Sequence, residues 1–343
     1  MRKLLNTLFV TSEDAYLTLD GENVVVNREK QEVGRFPLHT LFGVISFSYA
    51  GASPALMGAC AQRGVDLVFC TPYGKFLART AGESRGNVLL RRTQYRRADD
   101  PLQSCQIARG FIFGKVFNAC WSIRRTLRDH PMRVDEQALS RAADGLKELL
   151  PAIMQETSLD SLRGLEGSAA SIYFSAFDQL ILNRKEVFQF QNRNRRPPLD
   201  EVNAMLSFAY FLLANDCAGA LEAVGLDSYV GFLHRDRPGR SSLALDLMEE
   251  MRPCMADRFV LSLINNRMMD QKDFVKHESG AVSMTEEGRR TFLKAWQAKK
   301  QETLTHPFLK EKISWGLVPY VQALVLARFL REDLDGYPPF LWK

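Results

Sequence analysis

The hydrophobic positions change period once along the chain. Over the first 80 residues they come in short runs. Tyr16-Leu17-Thr18-Leu19 and Asn23-Val24-Val25-Val26 flank Asp20-Gly21, a turn dipeptide that tolerates positive φ, so a β-hairpin is expected. Another strand is expected over residues 41–47. Ser53-Pro54 then supplies an N-cap and a first helical residue for a short helix ending at Gly64. Residues 65–70 and 75–80 return to strand. From Pro101 onward the period becomes three to four. Leu102, Cys105, Ile107, Ala108, Phe111, Ile112, Val116, Ala119, Cys120 and Ile123 form one long helical stripe. Leu162, Leu165, Ala169, Ile172, Ala176 and Leu180 form a second, and Ala204, Phe208, Phe211 and Leu212 a third. Between the two patterns, residues 82–100 are polar and basic with little apolar periodicity. The pattern predicts an α+β protein with a β-rich domain over residues 1–85, a linker over 86–100 and a larger all-α helical domain over 101–343.

At 343 residues the chain is long enough for about two domains and a sizeable core. Hydrophobic residues make up 46% and charged residues 25%, which excludes a disordered chain. The longest apolar run, residues 205–214, already contains Ser207 and falls far short of the roughly 18 residues that cross a bilayer, so no membrane span is expected. The run behind Met1-Arg2-Lys3 breaks at Asn6 and Thr7, unlike the core of a signal peptide, and a cytoplasmic location is expected. Six cysteines include no C-x-x-C pair and predict neither a zinc site nor a disulfide framework.

Forty-five basic residues against 40 acidic give a net charge of +5, which informs only where it clusters. Arg91, Arg92, Arg96 and Arg97 surround Tyr95. Arg184, Lys185, Arg193, Arg195 and Arg196 surround Phe188 and Phe190, opposed by Glu186 alone. Interleaved cations and aromatics suit a nucleic-acid backbone and its bases, although a charge run is equally the signature of a solvated face.

Two segments place acid-base residues where a helix ought to be apolar. In Arg163-Gly164-Leu165-Glu166-Gly167-Ser168, small residues strip bulk from around Glu166 and let a phosphate approach; the alternative is a boundary carboxylate in a glycine-loosened helix. His234 ends the apolar run Tyr229-Val230-Gly231-Phe232-Leu233. After it, Ser241 or Ser242 can cap a helix carrying Asp246, Glu249 and Glu250 on a shared face. Like charges packed that closely need solvent or a cation among them. One imidazole with several carboxylates suits Mg²⁺ or Mn²⁺, the nitrogen favouring Mn²⁺; a lone structural histidine is the other reading.

These segments, with Asn194-Arg195-Arg196-Pro197-Pro198-Leu199-Asp200, Asn203-Ala204-Met205-Leu206-Ser207-Phe208, Gly231-Phe232-Leu233-His234 and Ser242-Leu243-Ala244-Leu245-Asp246-Leu247-Met248-Glu249, resemble the Cas1 family of CRISPR-associated integrases over essentially the whole chain. The resemblance implies a metal-dependent DNA endonuclease/integrase of CRISPR adaptation. In that family a Glu, a His and an acidic residue hold the metal, and Glu166, His234 and Glu249 match them. Some members carry Asp where Glu249 stands, and Asp246 matches a nearby acidic position whose role varies. The implied reaction inserts short double-stranded DNA fragments, the new spacers, at the leader end of the repeat array by attack of a 3′-hydroxyl on a phosphodiester. The implied assembly is a homodimer formed through the β-rich domains, two of which flank a Cas2 dimer; from their clustering, Arg184, Lys185, Arg193, Arg195 and Arg196 are expected to bind the DNA. No G-x-x-x-x-G-K-[ST] loop is present, in keeping with a transesterification that needs no ATP. A stand-alone nuclease for branched DNA, with water in place of the 3′-hydroxyl, and a non-catalytic DNA-binding scaffold are the competing readings.

Overall fold

The hairpin encoded by Asp20-Gly21 forms as its turn residues require: β2 (Tyr16–Asp20) pairs antiparallel with β3 (Asn23–Arg28), and Gly21 takes φ +56° between them. This is seen in a computed structural model that describes residues 6–71, 76–80 and 88–343, apart from the side chains of residues 6 and 42. The preceding strand is β1 (Asn6–Val10), and β4 (Gln31–Pro37) adds to β3 to complete a three-stranded antiparallel sheet. β5 (Leu41–Ser46) lies parallel between β1 and β6 (Asp66–Cys70), with β7 (Phe76–Arg79) as an antiparallel edge. α1 (Pro54–Arg63) makes the β5–β6 crossover. Ser53 caps it by accepting from the Leu56 amide, and Gly64 ends it in the left-handed conformation. Leu17, Val24, Leu38, Val44, Leu56, Cys60 and Leu67 are fully buried between these elements.

Residues 88–99, expected within the linker, instead form α2 (Val88–Asp99). Its inward face is Leu90 and the amide side chain of Gln94, so a polar residue occupies a core position and breaks the apolar stripe that periodicity looks for. Residues 81–87 and Lys75 lie outside the described residues. α3 (Pro101–Asp129) is capped by Asp100, whose carboxylate accepts from the Leu102 and Gln103 amides. Its predicted stripe is buried except for Leu102 in the first turn. α4 (Glu136–Gln155) and α5 (Leu159–Ala176) pack against it. α6 (Glu201–Ala223) is long and apolar enough to cross a membrane by length and composition, against the expectation drawn from its unbroken run. Yet 72% of its apolar window is buried within the fold, and it packs as a core helix against α7 (Ser242–Glu249). One π-helical turn, Arg252–Asp257, leads into α8 (Arg258–Asn265).

The remainder is not all helix. Three-residue strands β8 (Phe274–Lys276) and β9 (Val282–Met284) pair, and β10 (Thr303–Thr305) pairs with β11 (Lys312–Ser314); such strands are too short to register as periodicity. Between them α9 (Glu286–Gln301) buries Phe292, Leu293 and Trp296 and packs with β1. Residues Met284–Glu302 thus join Met1–Arg85 in one unit, while Gly86–Ser283 and Thr303–Lys343, ending in α10 (Val318–Leu330) and a C-terminal tail, form the other. The return of α9 to the β-rich unit does not follow from its sequence pattern.

Candidate active site

Glu166 sits in the middle of α5, which Ser158 caps. A Cβ placed on Gly164 or Gly167 would meet nothing within 4 Å. No neighbour inside the protein demands glycine there; the small residues leave the helix surface beside Glu166 open. Across from it, Lys115 of α3 is buried to 10% side-chain exposure. Its ammonium contacts the Glu166 carboxylate and lies 2.7 Å from Glu249 Oε2 at the end of α7. Two carboxylates from different helices therefore converge on one cation. Arg252 holds the far side of Glu249, its Nη1 donating to both oxygens at 2.8 and 3.0 Å. Burial alone would raise the Glu249 pKa, but Arg252, Lys115 and the nearby His234 outweigh it and hold this carboxyl well below the usual range, so it stays ionised.

His234 is held by an unusual use of a carboxylate. Asp246 on α7 is fully buried and accepts four N–H groups: Oδ2 from the Phe232 and Leu233 amides at 2.6 and 2.9 Å, Oδ1 from the His234 amide at 3.0 Å and, at 2.5 Å, the His234 Nδ1. This chain path requires glycine at 231, where an added Cβ would stand 2.8 Å from Asp246 Oδ2. With Nδ1 engaged, Nε2 is the nitrogen left to act on a ligand. Arg163, one turn before Glu166, donates to the Leu233 carbonyl from Nε and Nη2 at 3.1 and 2.7 Å and ties the histidine segment to α5. Gln94 of α2 fastens the approach by donating to the Asp227 and Val230 carbonyls.

The shared acidic face expected from Asp246, Glu249 and Glu250 is not what forms. Successive residues on a helix point about 100° apart, and each acid takes its own partners. Asp246 positions His234, Glu249 faces Lys115, and Glu250 turns away to accept from the Phe340 amide and the Tyr337 hydroxyl. Asp246, with both oxygens saturated, has no lone pair facing the site. The basic cluster divides as well. Arg193 is turned inward, donating to Asn203 and Ser207 and stacking over Tyr210, and Phe188 and Phe190 are buried core rather than stacking surface. Arg184 pairs with Asp270, and Lys185 with Asp178. Arg195 and Arg196 remain exposed. Arg240, from the segment after His234, has its pKa lowered by burial and by the positive charges of Arg237, Arg196 and Arg195.

The family profile described as CRISPR associated protein Cas1 matches residues 8–298. The chain belongs to the Cas1 family. It is 47% identical over 343 residues to a CRISPR-associated endonuclease Cas1 of Chlorobaculum tepidum, and 49% identical over 347 residues to one of Rhodospirillum rubrum, each alignment covering 100% of both chains. In structure it is similar to a Cas1 protein from Thermotoga maritima, with a TM-score of 0.81 at 21% identity over 98% of this chain and 100% of that one, which bears out the α+β fold class.

A divalent metal suits the chemistry of this Cas1 site. Two carboxylates already point at one cationic centre, and a histidine nitrogen is left available beside them. Among the described residues no three His, Cys, Asp or Glu side chains already stand in metal-ligating array; Lys115 and Arg252 hold the carboxylates as counter-ions. Sequence reasoning missed Lys115, Arg252, Arg237 and Arg240. The last two were legible as cations following His234. Lys115 shows in the sequence only as a charge interrupting the apolar stripe of α3.

Proposed function

We propose that this Cas1-family endonuclease is the strand-joining enzyme of CRISPR adaptation, inserting short double-stranded DNA fragments into leader-repeat DNA. The observation that carries the reading is the convergence of Glu166 and Glu249, from two different helices, on one cation beside a histidine locked by Asp246. The endonuclease chemistry of the family calls for a divalent metal. Glu166, Glu249 and His234 would hold it, as Mg²⁺ or Mn²⁺. Bound there, the ion would neutralise charge on the reacting phosphate and lower the pKa of the attacking hydroxyl.

The chain's own residues do the rest. Asp246 keeps the His234 imidazole in one tautomer and one orientation, and Arg252 keeps Glu249 ionised. The exposed Arg195 and Arg196, with Arg237 and Arg240, bind the phosphodiester backbone, and the open surface at Gly167 admits it to Glu166. In the reaction a 3′-hydroxyl oxygen forms a bond to phosphorus while the bond to the repeat strand's 3′-oxygen breaks. The attacking hydroxyl gives up its proton and the departing 3′-oxygen gains one, so the number of phosphodiesters is unchanged and no ATP is consumed. A homodimer and a Cas2 dimer complete the proposed assembly. The test is an integration assay on a supercoiled repeat plasmid, with and without Cas2, in Mg²⁺, Mn²⁺ and chelator. Joined product in metal alone supports the reading. Cutting without joining assigns a stand-alone nuclease, and neither activity assigns a scaffold.

A further inference from the structure

Ten residues beyond Lys115 on α3, roughly 15 Å along its axis, a polar cavity of about 160 Å³ opens among Arg125, Asp129, His130, Arg258, Asn265 and Asn266, so two guanidiniums share its wall with one carboxylate. Its walls continue the segments that carry the active site: the end of α3, the turn after α5 at Leu180 and Leu182, and α8 after the π-helical turn. The wall is built firmly, because Asn265 accepts from the Leu182 amide and donates to the Leu180 carbonyl.

The charges around this cavity do not balance. Arg125 has one acidic neighbour, Asp129 Oδ2 at 3.5 Å, which is shared with Arg128. Arg258 has no ion pair among the described residues. Both guanidiniums lie over the Trp342 indole, 5.0 and 4.7 Å from its centroid. Stacking satisfies the planar faces but not the N–H edges. Arg258 Nη1 is shielded from solvent and makes no hydrogen bond, while Arg125 Nε, equally shielded, has only its long ion pair with Asp129. Burial and the adjacent Arg125 push the Arg258 guanidinium below its ordinary pKa. A water molecule in the cavity could satisfy a donor, but it would leave the charge uncompensated.

We propose that this cavity is a second binding site, specific for a phosphoryl oxyanion held by the guanidiniums of Arg125 and Arg258. Paired guanidinium forks match the oxygens of a phosphate and its charge. The oxyanion could come from a DNA backbone phosphate or from free phosphate. The first source rests on the function proposed above.

Inorganic phosphate is titrated into the full-length protein at constant ionic strength, with chloride as the reference anion, and binding is followed by calorimetry and by the shift in Tm. Duplex binding is measured in parallel across salt concentrations. The variants are Arg258→Met, whose unbranched stem can still cover Trp342, Arg125→Gln, which does not rely on that stacking, and Arg141→Gln on the exposed side of α4 as a charge-matched control. For free phosphate, the expected result is saturable stabilisation of the wild type and of Arg141→Gln, weakened at least tenfold in Arg258→Met and Arg125→Gln. For a DNA phosphate, the slope of log affinity against log salt flattens by roughly 0.9 in the two cavity variants. Either signature supports the site and names its source. The proposal is overturned if phosphate stabilises no form of the protein, or stabilises all forms equally, while the salt slope is the same in all of them. Because the phosphate titration requires no catalysis, it stands or falls apart from strand joining.

Discussion

At the scale of single residues, the decisive arrangement is the saturated carboxylate of Asp246. Its four acceptor positions face four N–H groups, so an amide in its place would turn an N–H₂ group toward two donors whichever way it sits. Asp246→Asn should therefore release His234 from its fixed tautomer. Strand joining is expected to fall about 10- to 100-fold, as for other groups that orient a metal-binding histidine, with duplex affinity little changed. A rate within twofold of wild type would remove Asp246 from the positioning role. The sequence offered Asp246, Glu249 and Glu250 as equivalent acids on one helix face, and residue types and spacing could not separate them. Their partners lie far away in the chain: residues 232–234 for Asp246, Lys115 and Arg252 for Glu249, the C-terminal tail for Glu250.

At the scale of elements, α5 carries two glycines that its own packing does not require. Each costs the helix about 1 kcal/mol relative to alanine. Gly164→Ala with Gly167→Ala should raise stability by about 1–2 kcal/mol in urea unfolding, and the methyl at Gly167, the residue next to Glu166, should slow strand joining. A stabilised variant of unchanged rate would show that nothing approaches this surface. The neighbouring arginines give a second element-scale prediction. Arg195→Ala with Arg196→Ala should flatten the salt dependence of duplex binding by up to about 0.9 for each phosphate these side chains neutralise, and an unchanged slope would place both on an idle face. Arg193 does not belong in that variant, since its removal would leave Asn203 and Ser207 of α6 without their guanidinium donor. Helices with strong stripes, α3 above all, and the Asp20-Gly21 hairpin were legible because local chemistry decides them. α2 was hidden by its buried Gln94, and β8 to β11 by their length.

At the scale of the whole molecule, the C-terminal tail is bound into the helical unit next to the site. Asn118 donates to the Glu250 and Phe340 carbonyls and accepts from the Trp342 amide, while Gln322 and Tyr337 donate to Glu250 Oε1. A Cβ on Gly114 would stand 2.8 Å from Glu250 Cβ, so α3 is relieved of bulk where the two meet. Burial raises the Glu250 carboxyl from about 4.5 to about 7, despite the donors that favour its charge. The folded state thus holds this proton more tightly than the unfolded state. The stability it contributes is full below about pH 4.5 and is lost as pH rises to about 7. Urea midpoints at pH 5 and pH 8 should show the wild type losing more stability than Glu250→Gln over that interval, by up to about 3 kcal/mol at 1.36 kcal/mol per pK unit; equal losses would remove Glu250 as the titrating group. The account as a whole depends on Glu166 and Glu249 serving as joint metal ligands for strand joining, and Glu166→Gln tests this most directly because it removes the charge and keeps the shape. Joining of a DNA fragment into a repeat plasmid is measured in Mg²⁺ beside duplex affinity. The account predicts a rate reduced at least about 100-fold at an affinity within a few-fold of wild type, and joining near the wild-type rate would contradict it.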